Sequence, residues 1–146
     1  MILISACLLG EKCKYSGGDN FSPAVVDYLQ DKAYIACCPE ELGGLPTPRP
    51  PAEIQAPENE GSTEAPKVLN KEGQDVSAAF HRGAEAALEL CLKNGVDLAI
   101  LKEGSPSCGV KRIYDGSFSG KKISGSGLTA ALLRQHGIRL CSEEEL

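Results

Sequence analysis

The chain of 146 residues carries a formal net charge of −5, with 42% hydrophobic and 24% charged residues and seven cysteines. That length predicts one domain, 1–146, burying roughly two-thirds of the surface its unfolded chain exposes, and the ordinary residue balance excludes disordered and fibrous classes. The acidic charge argues against nucleic acid as a partner, because phosphate-backbone binding needs a concentrated excess of Lys and Arg; no run of eighteen apolar residues offers a membrane span.

The opening ILISA (Ile2–Ala6) is a short apolar run of the kind a buried parallel strand uses, with no basic segment before it to mark a signal peptide. A cytoplasmic location is therefore expected, where thiols stay reduced and clustered cysteines serve metal binding or catalysis rather than disulfides. Ser22-Pro23 reads as an N-cap with proline at the first helical position, and Val25, Val26 and Leu29 give that helix its apolar stripe. AYIAC (Ala33–Cys37) is the second strand. From Cys38 to Pro66 the chain carries most of its prolines and no periodicity, which predicts a long functional loop.

The clearest helix spans Ser77 to Asn94, where Phe80, Ala84, Ala87, Leu88 and Cys91 share one face and Gly95 supplies the stop. DLAILK (Asp97–Lys102) is the third strand. In RIYDGSF, Asp115-Gly116 between β-prone residues signals a hairpin. A last helix, Gly127–Gly137, precedes a fourth strand, Ile138–Cys141. The basic group Lys111, Arg112, Lys121 and Lys122 reads as a solvated hairpin face, and Glu143–Glu145 as a solubilising tail. This order predicts an α/β fold: a mostly parallel, helix-flanked, Rossmann-like sheet with a small β-hairpin insertion.

In such sheets ligands bind beyond the carboxyl ends of the strands. Cys7 follows the first strand, Cys38 the second, and Cys108 lies a few residues past the third, so three thiols converge on one rim where strands run about 5 Å apart. Cys91 falls on an apolar helix face and Cys141 ends a strand; both are read as packing. Cys37 and Cys38 are adjacent in extended chain, so only one faces the rim. Cys13 is a candidate fourth member. Four thiolates suit a closed zinc site or a fully ligated iron–sulfur cluster, whereas three leave one iron open as a Lewis acid for a soft atom such as sulfur. Spacing alone does not choose between them.

SACLLGEKCKYSGG (Ser5–Gly18), CPEELGGLPTPRPPAEI (Cys38–Ile54), LKEGSPSCGVKRIYDGSFSG (Leu101–Gly120) and SGSGLTAALL (Ser124–Leu133) together resemble the bacterial family of thiouracil desulfidases over nearly the whole chain. The resemblance implies an enzyme that removes sulfur from thiouracil or a similar thiolated nucleobase without net redox change, using an open-site [4Fe-4S] cluster. It places the cluster ligands at Cys7, Cys38 and Cys108, the catalytic carboxylate at Glu40 and a catalytic, substrate-side serine at Ser105. Ser16 stands where the family commonly has Asp, and Lys14 where Arg is frequent. Bland alternatives stay open: Ser105 as a mere cap of the Pro106 turn, Glu41 as the active carboxylate, and Arg49 paired with Glu53 to pin the proline-rich loop. The SGSG segment either presents N–H groups to an anion or allows close packing. At the level of function, a structural zinc- or cluster-binding module closed by Cys13 and a sulfur-inserting enzyme are the competing readings.

Overall fold

The computed structural model describes residues 1–55 and 66–146. Its centre is a parallel sheet of β1 (Ile2–Ser5), β2 (Tyr34–Cys37), β5 (Leu98–Leu101) and β8 (Arg139–Ser142), in the order β2-β1-β5-β8. β1 is buried along its whole length, as its unbroken apolar sequence requires of a central strand covered on both faces. Alternation then sorts the side chains. Ile2, Ile4 and Ile100 pack with Val25 and Leu29 of α1 (Pro23–Leu29) on one face. Leu3, Ala99 and Leu101 pack on the other with Ala87 and Cys91 of α3 (Ser77–Asn94) and with Ala130 and Leu133 of α4 (Leu128–Gln135). The α/β fold with a parallel, helix-flanked sheet is thus as the sequence predicts.

Local chemistry sets the helix boundaries. Ser22 accepts a hydrogen bond from the Val25 N–H and Pro23 opens α1, while Gly95 ends α3 in the left-handed conformation at φ 64°.

Between β2 and α3 the expected irregular loop holds more order than its sequence reveals. Cys38 caps a one-turn helix, α2 (Pro39–Leu42), and β3 (Ala52–Ile54) pairs antiparallel with β4 (Val68–Asn70). Elements of three or four residues are too short to carry a readable period. Part of that predicted loop, 56–65, lies outside the described residues. α2 rests on α3 through two glycines: a Cβ at Gly83 would stand 2.0 Å from the Pro39 carbonyl oxygen, and one at Gly43 2.0 Å from that of Ala79.

The second hairpin differs in its turn. β6 (Arg112–Tyr114) and β7 (Lys122–Ser124) pair across residues 115–121, so Asp115-Gly116 opens a longer connection instead of forming a tight two-residue turn. The Gly116 N–H is taken by Glu53 and the Ser117 N–H by Asp115, so tertiary anchoring overrides the local turn preference.

The acidic end is also bound rather than free. Ser142 caps a short 3₁₀ turn, Glu143–Glu145, whose carboxylates meet Lys102, Arg112 and Lys111. Among the described residues no helix is long and apolar enough to cross a membrane.

Candidate functional site

The chain passes from β1 through α1 to β2 on one side, then through α3 to β5 on the other side of β1. The strand order therefore reverses between β1 and β5, and at such a switch point the outgoing loops part to leave a crevice. A cavity of about 400 Å³ opens there, lined by Cys7, Cys13, Cys38 and Cys108 together with Glu40 and Ser107.

Each thiol is delivered by a different loop. Cys7 lies in a 3₁₀ turn directly after β1, and Asn20 Nδ2 donates to its Sγ at 3.4 Å. Cys38 is the N-cap of α2. Cys13 is buried between them: its Sγ lies within 4.8 Å of Cys38 Sγ and of a Glu41 carboxylate oxygen. Hydrogen bonding with the shared neighbour Cys13 is the main cause lowering the Cys7 thiol to about 7 and lowering Cys38, while Cys13 itself is pushed far up. Burial raises the Cys108 thiol, and it pushes Cys37, which points into the core beside Cys91, up to about 12. None of the seven cysteines forms a disulfide.

The stiff turn around Cys108 is built from backbone hydrogen bonds. Ser105 Oγ accepts from the N–H groups of Ser107 and Cys108, each at 3.1 Å. The first N–H groups of α4 meet the same turn, with Leu128 N–H donating to Pro106 O and Thr129 N–H to Ser107 O, both at 2.9 Å. A Cβ at Gly127 would sit 2.4 Å from the Ser107 carbonyl carbon. Within SGSG, close packing thus accounts for Gly127.

Glu103 seals the loop from below. Its buried carboxylate accepts from Val110, Lys111 and Arg112 N–H at 2.8–3.0 Å and from Gly104 N–H at 3.3 Å. Desolvation works against this carboxylate, but the surrounding backbone N–H groups outweigh it and hold it below the usual range.

Glu40 is gripped on both oxygens. Arg49 Nε donates to Oε1 at 3.0 Å and Ser107 Oγ to Oε2 at 2.8 Å. Arg49 is buried, and its other nitrogens reach Pro46 O, Thr47 Oγ1 and Cys13 O, so one guanidinium ties the carboxylate to two loops. The expected Arg49–Glu53 pair is therefore replaced: Arg49 serves Glu40, and Glu53 binds the N–H groups of Gly116 and Phe118. Glu41 lies on the Cys13–Cys38 side and accepts from Thr47 Oγ1 at 2.6 Å.

With this geometry in view, comparison with known proteins is decisive. The family model described as 2-thiouracil desulfurase matches residues 2–145. The chain belongs to the 2-thiouracil desulfurase family. It is 45% identical over 147 aligned residues to YbbK of Bacillus subtilis (strain 168), described as uncharacterized, spanning 100% of this chain and 97% of that one. It is also similar to a solved structure titled "[4Fe-4S]-dependent thiouracil desulfidase TudS", with 49% identity and a TM-score of 0.86 over 99% of this chain and 91% of that one.

In this desulfurase-family chain the residues expected from sequence, Cys7, Cys38, Cys108, Glu40 and Ser105, all line one cavity. Three residues of the site went unread in sequence. Ser107, not Ser105, touches Glu40, and a carboxylate only accepts, so Ser107 donates to Glu40 and Ser105 to Ser107, at 2.9 Å. The Ser-Pro-Ser motif contained the signal, but which serine faced the carboxylate depended on a contact 67 residues away in sequence. Asn20 and Glu103 gave no local sign at all.

Proposed function

We propose that this chain removes sulfur from thiouracil or a closely similar thiolated base, releasing uracil and sulfide, with a [4Fe-4S] cluster held by Cys7, Cys38 and Cys108. The observation that carries the reading is one cavity at the switch point of the sheet, joining those thiols to a doubly held carboxylate. The donor set fits the group: soft thiolates are what iron–sulfur clusters take, and Cys7 and Cys38 are the two whose ionisation the surroundings favour. Held by three thiolates, such a cluster keeps one iron free as a Lewis acid for a soft sulfur atom.

The chain's own residues supply the rest. Glu40, positioned by Arg49 and Ser107, takes a proton from the water that adds to the carbon bearing sulfur. As the C–S bond breaks the sulfur leaves as sulfide, the carbonyl of uracil forms, and no net electrons are exchanged. General-base assistance of this kind contributes roughly 10²–10⁴-fold. Ser105 acts one hydrogen bond away, orienting Ser107 while capping the turn that carries Cys108. Cys13, whose thiol is pushed far up, would stay neutral outside the ligand set and leave the fourth position to the substrate.

Metal analysis after anaerobic purification tests this. A brown protein with about four iron and four sulfide per chain is expected, retained in Cys13→Ser and lost in Cys108→Ser. Stoichiometric zinc that disappears in Cys13→Ser would instead establish a closed structural centre.

A further inference from the structure

The chain is poor in aromatic residues, with four Tyr, three Phe and no Trp. Three of these seven, Tyr15, Tyr114 and Phe118, nevertheless line the cysteine cavity, brought there by two different loops and β6. Two of the rings are engaged by cations: Lys14 Nζ lies 5.8 Å from the Tyr15 centroid and Lys122 Nζ 5.4 Å from that of Tyr114. Phe118 carries no such partner among the described residues. It has no polar atom on its side chain, and it is only half-buried against the cavity.

Its backbone makes that placement unusual. Phe118 is the non-glycine residue with positive φ among those described, at 57°. A bulky L-residue is disfavoured in this region, and such strain persists only where the surroundings impose it. Here they do. The buried Glu53 accepts from Gly116 N–H at 2.9 Å and Phe118 N–H at 3.2 Å through the same Oε1, and Gln55 Nε2 donates to Gly116 O at 3.2 Å. The 115–121 connection is thereby fastened to β3, which itself borders the cavity through Ala52 and Glu53.

We propose that Phe118 is the stacking wall for the planar ring of the thiolated base, and that Glu53 is the positioning residue that holds it there. The inference rests on the desulfidase reading and deepens it by naming a specificity determinant. A flat, delocalised heterocycle gains from an aromatic face, and the puckered ring left by saturating its C5=C6 bond gains far less. The site therefore selects planarity as well as the C=S group.

The test compares 2-thiouracil with its 5,6-dihydro analogue on anaerobically reconstituted wild type, Phe118→Ala, Phe118→Tyr and the pair Glu53→Ala and Glu53→Gln. Iron content serves as the control for an intact site. Wild type should favour 2-thiouracil through KM. Phe118→Ala should raise the KM for 2-thiouracil on the order of 10- to 100-fold, the range for loss of one base–aromatic stack, with kcat little changed and the preference over the dihydro analogue largely erased. Phe118→Tyr should retain the preference. Glu53→Ala should move KM in the same direction, and Glu53→Gln, which keeps an acceptor oxygen, should restore much of it. Turnover of 2-thiouracil with the same KM in wild type and Phe118→Ala would overturn this inference and leave the desulfidase reading standing. A fully loaded wild type that converts neither of these compounds nor 4-thiouracil would overturn both.

Discussion

Ser107 Oγ donates to Glu40 Oε2 at 2.8 Å, joining the turn that carries Cys108 to the helix that Cys38 caps. Two loops emerging from non-adjacent strands, β2 and β5, are thus linked through the carboxylate assigned to the chemistry. Geometry at that carboxylate and geometry at the thiols are set together.

Glu40→Gln should preserve most of this link, because the amide still accepts from Arg49 or Ser107 through its oxygen. It removes the base. Turnover of thiouracil should fall roughly 10²–10⁴-fold with iron content unchanged. Glu41→Gln, whose carboxylate bonds to Thr47, should lose less than about tenfold. A larger loss at Glu41 than at Glu40 would reverse the assignment.

The two serines should separate by what each one loses. Ser107→Ala leaves Glu40 with one anchor, and kcat should fall roughly 10- to 100-fold, the size expected of a misplaced catalytic group. Ser105→Ala frees the N–H groups of Ser107 and Cys108 and should act first on stability, by about 1–2 kcal/mol in urea titrations. A Ser107→Ala enzyme with full kcat would remove Ser107 from the account.

Gly127→Ala should force the Cys108 turn and α4 apart, since the added Cβ would lie 2.4 Å from Ser107 C and 2.8 Å from Cys108 N. A loss of about 1–3 kcal/mol and a drop in bound iron are expected. Gly137→Ala, at the far end of the same helix, meets no atom within 4 Å and pays only for its φ of 80°. It should therefore leave iron content intact. Equal iron content in the two variants would contradict the docking of the turn on α4.

Glu103 gives the site an acid limit. Its folded carboxyl titrates below the ordinary value of 4.5 because four backbone N–H groups outweigh its desolvation. The stability it contributes is therefore fully present above about pH 4.5 and is lost as pH falls through the lower folded value. Glu103→Gln should be less stable than wild type at neutral pH, with a lower urea midpoint. That gap should close as the pH drops below 4.5. A gap constant from pH 7 to pH 3 would show that the N–H cradle does not depend on charge.

The scaffold was legible because it obeys long patterns. Apolar β1, the capped α1 and the 18-residue face of α3 announce themselves, and they sort Cys7, Cys38 and Cys108 to one rim. What escaped reading depends on contacts between distant residues. Arg49 chose Glu40 over Glu53 because α2 brings that carboxylate within 3.0 Å, and nothing in the PRPP stretch encodes it. Asp115-Gly116 looks like a tight hairpin turn, yet Glu53, from another strand pair, takes the N–H groups of Gly116 and Phe118. The acidic end reads as a tail until Lys102, Lys111 and Arg112 are placed beside it.

The central claim is most directly tested by incubating the anaerobically reconstituted protein with 2-thiouracil and with 4-thiouracil, and measuring uracil and sulfide. The account predicts that at least one isomer is converted with one sulfide released per uracil, without added reductant or oxidant, and that Glu40→Gln abolishes most of the turnover while keeping its iron. A fully loaded protein that leaves both isomers unchanged, or that requires an electron donor, would contradict it.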